Sequence, residues 1–205
     1  VPAVSGEANF SNISIDLAGI GYTLDATASG VSTATSVSFD VAVGAATQLA
    51  YSIEPTNTVS TASIAPSIKV QVQDAGGNLI TTATDLITLA INSSPGSGTL
   101  SGTLTVSAVT GEATFSDISI DLAGIGYTLD ATATGLSTAT SASFDITVGP
   151  AVKLAFSVEP SNTISTDAIS PSIKVQVQDV GGNLITTATD LITLVINSNP
   201  GSGTL

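Results

Sequence analysis

Residues 1–100, laid without a gap over residues 106–205, differ at 22 positions and so agree at 78 of 100. The offset is constant at 105. Gly6-Glu7-Ala8 returns as Gly111-Glu112-Ala113, Leu49-Ala50-Tyr51 as Leu154-Ala155-Phe156, and Ser67-Ile68-Lys69 as Ser172-Ile173-Lys174. A period of this length exceeds that of solenoid repeats, which run to about 45 residues, and has the size of a whole domain strung in tandem. Most exchanges between the copies are mild, such as Val31/Leu136, Val41/Ile146, Tyr51/Phe156 and Ile53/Val158. Only Asn12/Asp117, Gln48/Lys153 and Ala62/Asp167 change charge. Val1 matches Val106 and Leu205 matches Leu100, so only positions 101–105 lack a second copy. The expectation is a window on a longer array: residues 1–45 as the C-terminal half of one repeat, 46–149 as a complete repeat, and 150–205 as the N-terminal half of the next.

Within one repeat the apolar pattern is that of strands. Ile68, Val70 and Val72 alternate with Lys69, Gln71 and Gln73, the period-2 signature of a half-buried strand. The cluster Asp74-Ala75-Gly76-Gly77-Asn78 then supplies residues suited to a turn. Asp85–Asn92 reads as another strand, closed by Ser93–Gly98 with its proline and two glycines. Thr47–Glu54, Thr99–Val106, Ala113–Ile120, Tyr127–Thr134 and Ser141–Val148 continue the series, with glycine-bearing turns near Gly111, Gly124–Gly126 and Gly135. β-Branched residues dominate, and no stretch carries capped 3.6-residue spacing, so helix is not expected. Seven or eight short strands per repeat make an all-β fold, tandem immunoglobulin-like antiparallel β-sandwiches. Asp121–Tyr127 and its copy Asp16–Tyr22 lead into a strand with a tyrosine at the corner. In such sandwiches that hydroxyl bonds to backbone upstream, which gives Tyr127 and Tyr22 a structural role. The chain has no cysteine and no tryptophan, so aliphatics with Phe39, Phe115 and Phe144 must fill the core.

Five motifs together resemble bacterial immunoglobulin-like repeats of the invasin and intimin type, found in giant tandem-repeat surface adhesins. They are Val70-x-Val72-x-Asp74-x-x-Gly77-Asn78, Leu86-Ile87-Thr88-Leu89, Gly111-x-Ala113-x-Phe115, Gly126-Tyr127-x-Leu129-x-Ala131 and Ser141-x-x-Phe144. The resemblance covers the entire chain and implies extracellular or cell-surface display. It implies a spacer role, because in that family tips or terminal domains do the binding.

Composition excludes several chemistries. Without histidine or cysteine there is no Ser–His–Asp or Cys–His arrangement, no zinc-finger ligand set and no disulfide. Three lysines, no arginine and a net charge of −13 leave no patch to neutralise phosphates, so nucleic acid and anionic membrane surfaces are unexpected partners. No apolar run approaches the roughly 18 residues that span a bilayer. Paired carboxylates are the remaining catalytic chemistry. The four glutamates, Glu7, Glu54, Glu112 and Glu159, reduce to two repeat positions with no aromatic sugar platform beside them, and no enzyme is expected.

Calcium is the one cofactor the residue types could suit, because hard cations take carboxylate and carbonyl oxygens. Asp74, Asn78 and Asp85, with their copies Asp179, Asn183 and Asp190, form the candidate set. The same Asp-x-Gly-Gly-Asn run is also an ordinary turn in which Asp and Asn bond their own backbone, and that reading is preferred. Lys69 and Lys174 alternate with core residues, so they should face away from the core as solvated charges rather than form buried isopeptides. The triplets Asn9-Phe10-Ser11, Asn12-Ile13-Ser14 and Asn92-Ser93-Ser94 fit a glycosylation acceptor, but none recurs in its repeat partner and no role is assigned.

The connectors Val43–Thr47 and Val148–Val152 are short, and Pro150 stiffens one, so beads should stack as a rod. The expected partners are neighbouring copies of the repeat, joined covalently or by strand complementation between subunits, which builds a filament. The rival expectation is an adhesive or carbohydrate- or protein-binding module of a secreted protein. Its usual mark, an exposed aromatic cluster, is not evident in five Phe and three Tyr.

Overall fold

The structure, a computed structural model, describes residues 1–205. It contains strands and no helix, and it divides into two compact units, Val1–Thr147 and Val148–Leu205. The first unit opens with four short strands: β1 (Gly19–Tyr22), β2 (Asp25–Ala26), β3 (Ala34–Thr35) and β4 (Phe39–Val41). β1 pairs antiparallel with β4, and β2 with β3.

A two-sheet sandwich follows within the same unit. Its strands are β5 (Gln48–Ile53), β6 (Thr58–Val59), β7 (Ile68–Gln73), β8 (Leu86–Ser93), β9 (Leu100–Ser101), β10 (Thr105–Ser107), β11 (Glu112–Phe115), β12 (Ser119–Ile120), β13 (Gly124–Thr132), β14 (Ala139–Thr140) and β15 (Phe144–Thr147). One sheet has the order β11-β7-β5 and the other β10-β8-β13-β15-β6, with β14 also on β13 and a small β12–β9 pair beside them. All pairings are antiparallel except β15 with β6. Period 2 does the sorting. Ile68, Val70 and Val72 of β7 are fully buried, while Lys69, Gln71 and Gln73 lie on the outer face. They meet Ile87, Leu89, Leu129, Phe144 and Ile146 of the other sheet in one core running from Leu49 to Ile146.

The strand limits depart from the sequence expectation in informative places. Thr99–Val106 is split into β9 and β10 around Gly102, whose φ is +113°. Ala113–Ile120 is likewise divided into β11 and β12, and Ser141–Val148 shortens to β15. β13 starts at Gly124, three residues before Tyr127, because Gly124 and Ile125 pair with Ile146 and Asp145 ahead of a bulge. β6 was not expected at all, being two residues long beyond the Glu54-Pro55 break.

Between β10 and β11 the chain reverses on Thr110-Gly111, with both residues at positive φ (52° and 81°) and Val109 and Glu112 exchanging both backbone hydrogen bonds. This is the two-residue hairpin whose mirror-image turn matches strand twist, and it requires the left-handed region at both positions. The second unit carries β16 (Lys153–Val158) and β17 (Lys174–Gln178), paired antiparallel.

Candidate functional site

The Asp74–Asn78 turn holds the sandwich to the chain that precedes it. Hydrogen bonds within the turn shape it first. Asp74 Oδ1 accepts from the Gly76 and Asn78 amides, each at 2.9 Å, and Asn78 Nδ2 reaches both Asp74 oxygens at 3.0 Å. The remaining valences go outward. The Gly44 amide donates to Asp74 Oδ2 at 2.7 Å, Asn78 Nδ2 donates to the Asp16 carbonyl at 2.8 Å, and the Ala18 amide donates to Asn78 Oδ1 at 2.8 Å. Residues separated by 30 to 62 positions are thereby locked together around two side chains.

Gly76 completes the fit. A Cβ there would lie 2.1 Å from the Asp16 carbonyl oxygen, so only glycine allows the two backbones to approach this closely. Asp74 is 5% exposed. The Gly44 amide, then the Asn78 amide, hold its carboxyl below the usual carboxylate range, because N–H donors stabilise the charged form.

The copy in the second unit repeats the local design. Gly149 donates to Asp179 Oδ2 at 2.8 Å, and Gly182 and Asn183 donate to Asp179 Oδ1 at 2.9 and 2.8 Å.

These contacts bear on the calcium candidates. The Asp74 carboxylate is surrounded by N–H donors, which a cation would have to displace. Asp85 is half-buried just before β8, with its carbonyl accepting from Ala108, and Asp190 is exposed. No group of three or more His, Cys, Asp or Glu side chains is placed to hold a metal. The turn is a clasp within the chain, built from hydrogen bonds to the Gly44 and Ala18 amides and the Asp16 carbonyl.

Tyr127 is fully buried beside the bulge of β13. Its hydroxyl donates to the Leu122 carbonyl at 2.9 Å and accepts from the Gly98 amide at 3.2 Å. Tyr22 donates to the Leu17 carbonyl at 3.0 Å. Each tyrosine ring is tilted against a phenylalanine 6.1 Å away, Phe144 for Tyr127 and Phe39 for Tyr22. The corner in residues 1–45 thus shapes the Asp16–Ala18 loop that the clasp grips.

Two of the four glutamates, Glu112 and Glu54, hold hydrogen bonds with neighbouring strands and loops. Glu112 accepts from Lys69 Nζ at 2.7 Å, Ser52 Oγ at 2.8 Å and Gln71 Nε2 at 3.1 Å on the outer face of the β11-β7-β5 sheet. The Lys69 hydrogen bond leads in keeping its carboxyl below the ordinary range. Glu54 Oε2 accepts from the Ala142 amide at 3.0 Å.

No known protein family matches the chain, and no curated protein matches it. Among solved structures it is similar to a glycosyl hydrolase family 2 member from Bacteroides cellulosilyticus, at 17% identity and a TM-score of 0.39, over 60% of this chain and 17% of that one. It is also similar to domains 4–9 of the surface layer protein SbsC, at 15% identity and a TM-score of 0.36, over 76% of this chain and 23% of that one. The chain spans less than a quarter of the length of either structure.

Proposed function

We propose that the chain is a non-enzymatic structural repeat of an extracellular filament or stalk, in which immunoglobulin-like sandwiches stack into a rod through the Asp74–Asn78 clasp. In this reading 46–149 is one complete repeat, and 1–45 and 150–205 are halves of its neighbours. The observation that carries it is the clasp itself. A turn that sends three hydrogen bonds into the preceding segment, and requires glycine for close approach, fixes the angle between successive beads as a flexible linker would not. Composition supports the same role. The charge of −13 keeps neighbouring rods apart in solution, and three lysines without arginine offer few sites to trypsin-like proteases.

Small-angle scattering tests the reading. An array of three or more repeats should scatter as a stiff rod, and the same array carrying Asn78→Ala and Gly76→Val at every clasp should become a flexible chain of intact beads. Flexible scattering from the unmodified array would refute the stalk role. Labelling of intact cells with an antibody against the repeat tests the surface location.

A further inference from the structure

The two sheets of the sandwich end in edge strands, and most of these edges are covered, short or charged. β5 is covered by the loop before β14: the Leu49 amide donates to the Ser137 carbonyl at 3.1 Å, and the Ser137 amide to the Thr47 carbonyl at 2.9 Å. β6 is two residues long, and the Ala62 amide turns back onto its Val59 carbonyl. β11 gives the Glu112 amide and carbonyl to Val109 and carries the Lys69–Glu112 ion pair.

β10 is different. The Leu89 amide donates to the Leu104 carbonyl at 2.8 Å and the Ala108 amide to the Asp85 carbonyl at 2.9 Å, so the even-numbered residues of this stretch bond β8. By alternation the amides and carbonyls of Thr105 and Ser107 point away from β8, to the side where no strand pairs with them. At the next outward position the Thr103 amide already donates to Asp117 Oδ1 at 2.9 Å. Thr105 and Ser107 are exposed, with Val106 half-buried between them. Native edges are commonly guarded by charge or proline. Thr99–Thr110 contains neither, in a chain with 16 acids and 3 lysines. Two apolar side chains also stand bare here, Leu86 opposite Ser107 at 60% exposure and Val109 at 74%.

We propose that this edge pairs with the same edge of a second copy of the chain, antiparallel about a two-fold axis at Val106, joining two sandwiches side by side. The edge is self-complementary in that register. Thr105 faces Ser107 of the second copy and Ser107 faces its Thr105, and each facing pair exchanges both N–H···O bonds. Val109 comes opposite Thr103 of the second copy, which covers it. So short a contact is weak by itself, and a tandem array adds such contacts through effective concentration. This step rests on the stacking role proposed above and gives it a direction: the two-fold reverses the strands, so rods joined this way run in opposite senses, as stalks from two facing surfaces do. The net charge of −13 opposes the approach, so pairing should tighten as salt screens it.

The chain has no cysteine, so an engineered disulfide reads the register directly. Thr105→Cys and Ser107→Cys, both at exposed positions, are made in separate chains, mixed and oxidised. In the proposed register the two positions face each other at a Cα separation that a disulfide accepts, whereas same-site pairs lie diagonally at about 7–8 Å, beyond its reach. The expected product is a mixed disulfide at twice the 20.1 kDa chain mass, exceeding each same-site product several-fold more than random pairing gives. Sedimentation of the unmodified chain should show a dimer that grows several-fold as salt rises from about 0.01 M to about 1 M, which shortens the Debye length from about 30 Å to about 3 Å. Ser107→Pro removes an outward amide without touching β8, a place where an edge tolerates proline, so it should abolish that dimer at an unchanged urea midpoint. Thr105→Glu keeps every backbone donor and charges the edge, and should weaken the dimer as well. A random distribution of disulfides, or sedimentation indifferent to both substitutions, overturns the proposal. Neither result bears on the stiffness of a covalent array, so the stalk reading fails or stands separately.

Discussion

The Tyr127 hydroxyl has two backbone partners, so Tyr127→Phe orphans the Leu122 carbonyl and the Gly98 amide together. Leaving buried polar groups unpaired costs about 1–3 kcal/mol. Urea denaturation of the chain should show a loss in that range, and a change below about 0.5 kcal/mol would remove the corner from the account of stability. Tyr51 offers a milder comparison, because the other copy has Phe156 at the same place. Its hydroxyl donates to the Leu129 carbonyl at 3.0 Å, and Tyr51→Phe should cost about 0.5–1.5 kcal/mol. Burial, with Glu54 and Asp130 nearby, pushes the Tyr51 phenol well above the ordinary tyrosine range. The sign follows from linkage: a raised folded-state pKa gives stability that is complete below about pH 10 and falls as pH rises beyond it. Ultraviolet titration should find Tyr51 still protonated above that pH, ionising only as the sandwich unfolds, and an ordinary titration would show that the phenol is not buried.

At the scale of the element, the clasp and the sandwich are separable. In Gly76→Ala the new methyl meets the Asp16 carbonyl and nothing in the core, so unfolding of the sandwich should move by no more than about 0.5 kcal/mol. The Gly44 and Ala18 amides, which donate into the clasp, should exchange with solvent markedly faster. Unchanged exchange would mean the close approach is not needed. Acid should act on the same bonds. Asp74 has a depressed pKa, so its contribution is complete above about pH 4 and is lost as pH falls below that, with Gly44 exchange accelerating in step. The alternation of Ile68, Val70 and Val72 made β7 and its buried face legible, because a period of 2 is a local property. The clasp was not legible, because its partners lie 30 and 60 residues away and a turn of Asp, Gly and Asn has the same composition whether it bonds itself or its neighbour. Asp16, Gly44, Asp74, Gly76 and Asn78 are unchanged at Asp121, Gly149, Asp179, Gly181 and Asn183, but identity at 78 of 100 positions leaves that signal weak. β6 and the break at Gly102 were missed for a related reason: two-residue pairings follow from what the sheet offers, not from propensity.

For the molecule as a whole, one sequence in two settings separates local preference from tertiary cause. Asp85–Ser93 and Asp190–Ser198 differ only at Ala90/Val195, an exchange that favours strand in the second copy. Yet β8 is a strand of eight residues in the first setting, and the copy forms none in the second. β10 and β13 on its two sides, with Ile87 and Leu89 buried, are what make β8 a strand. Stability must therefore be uneven along the chain even though the repeat is nearly uniform. Amide exchange should show Ile87–Ile91 protected to the level of global unfolding and Ile192–Ile196 close to the rate of an open chain. Equal protection of both stretches in the dilute chain would show that the strand forms from its own sequence, and the sandwich would no longer be the unit in which this repeat is stable.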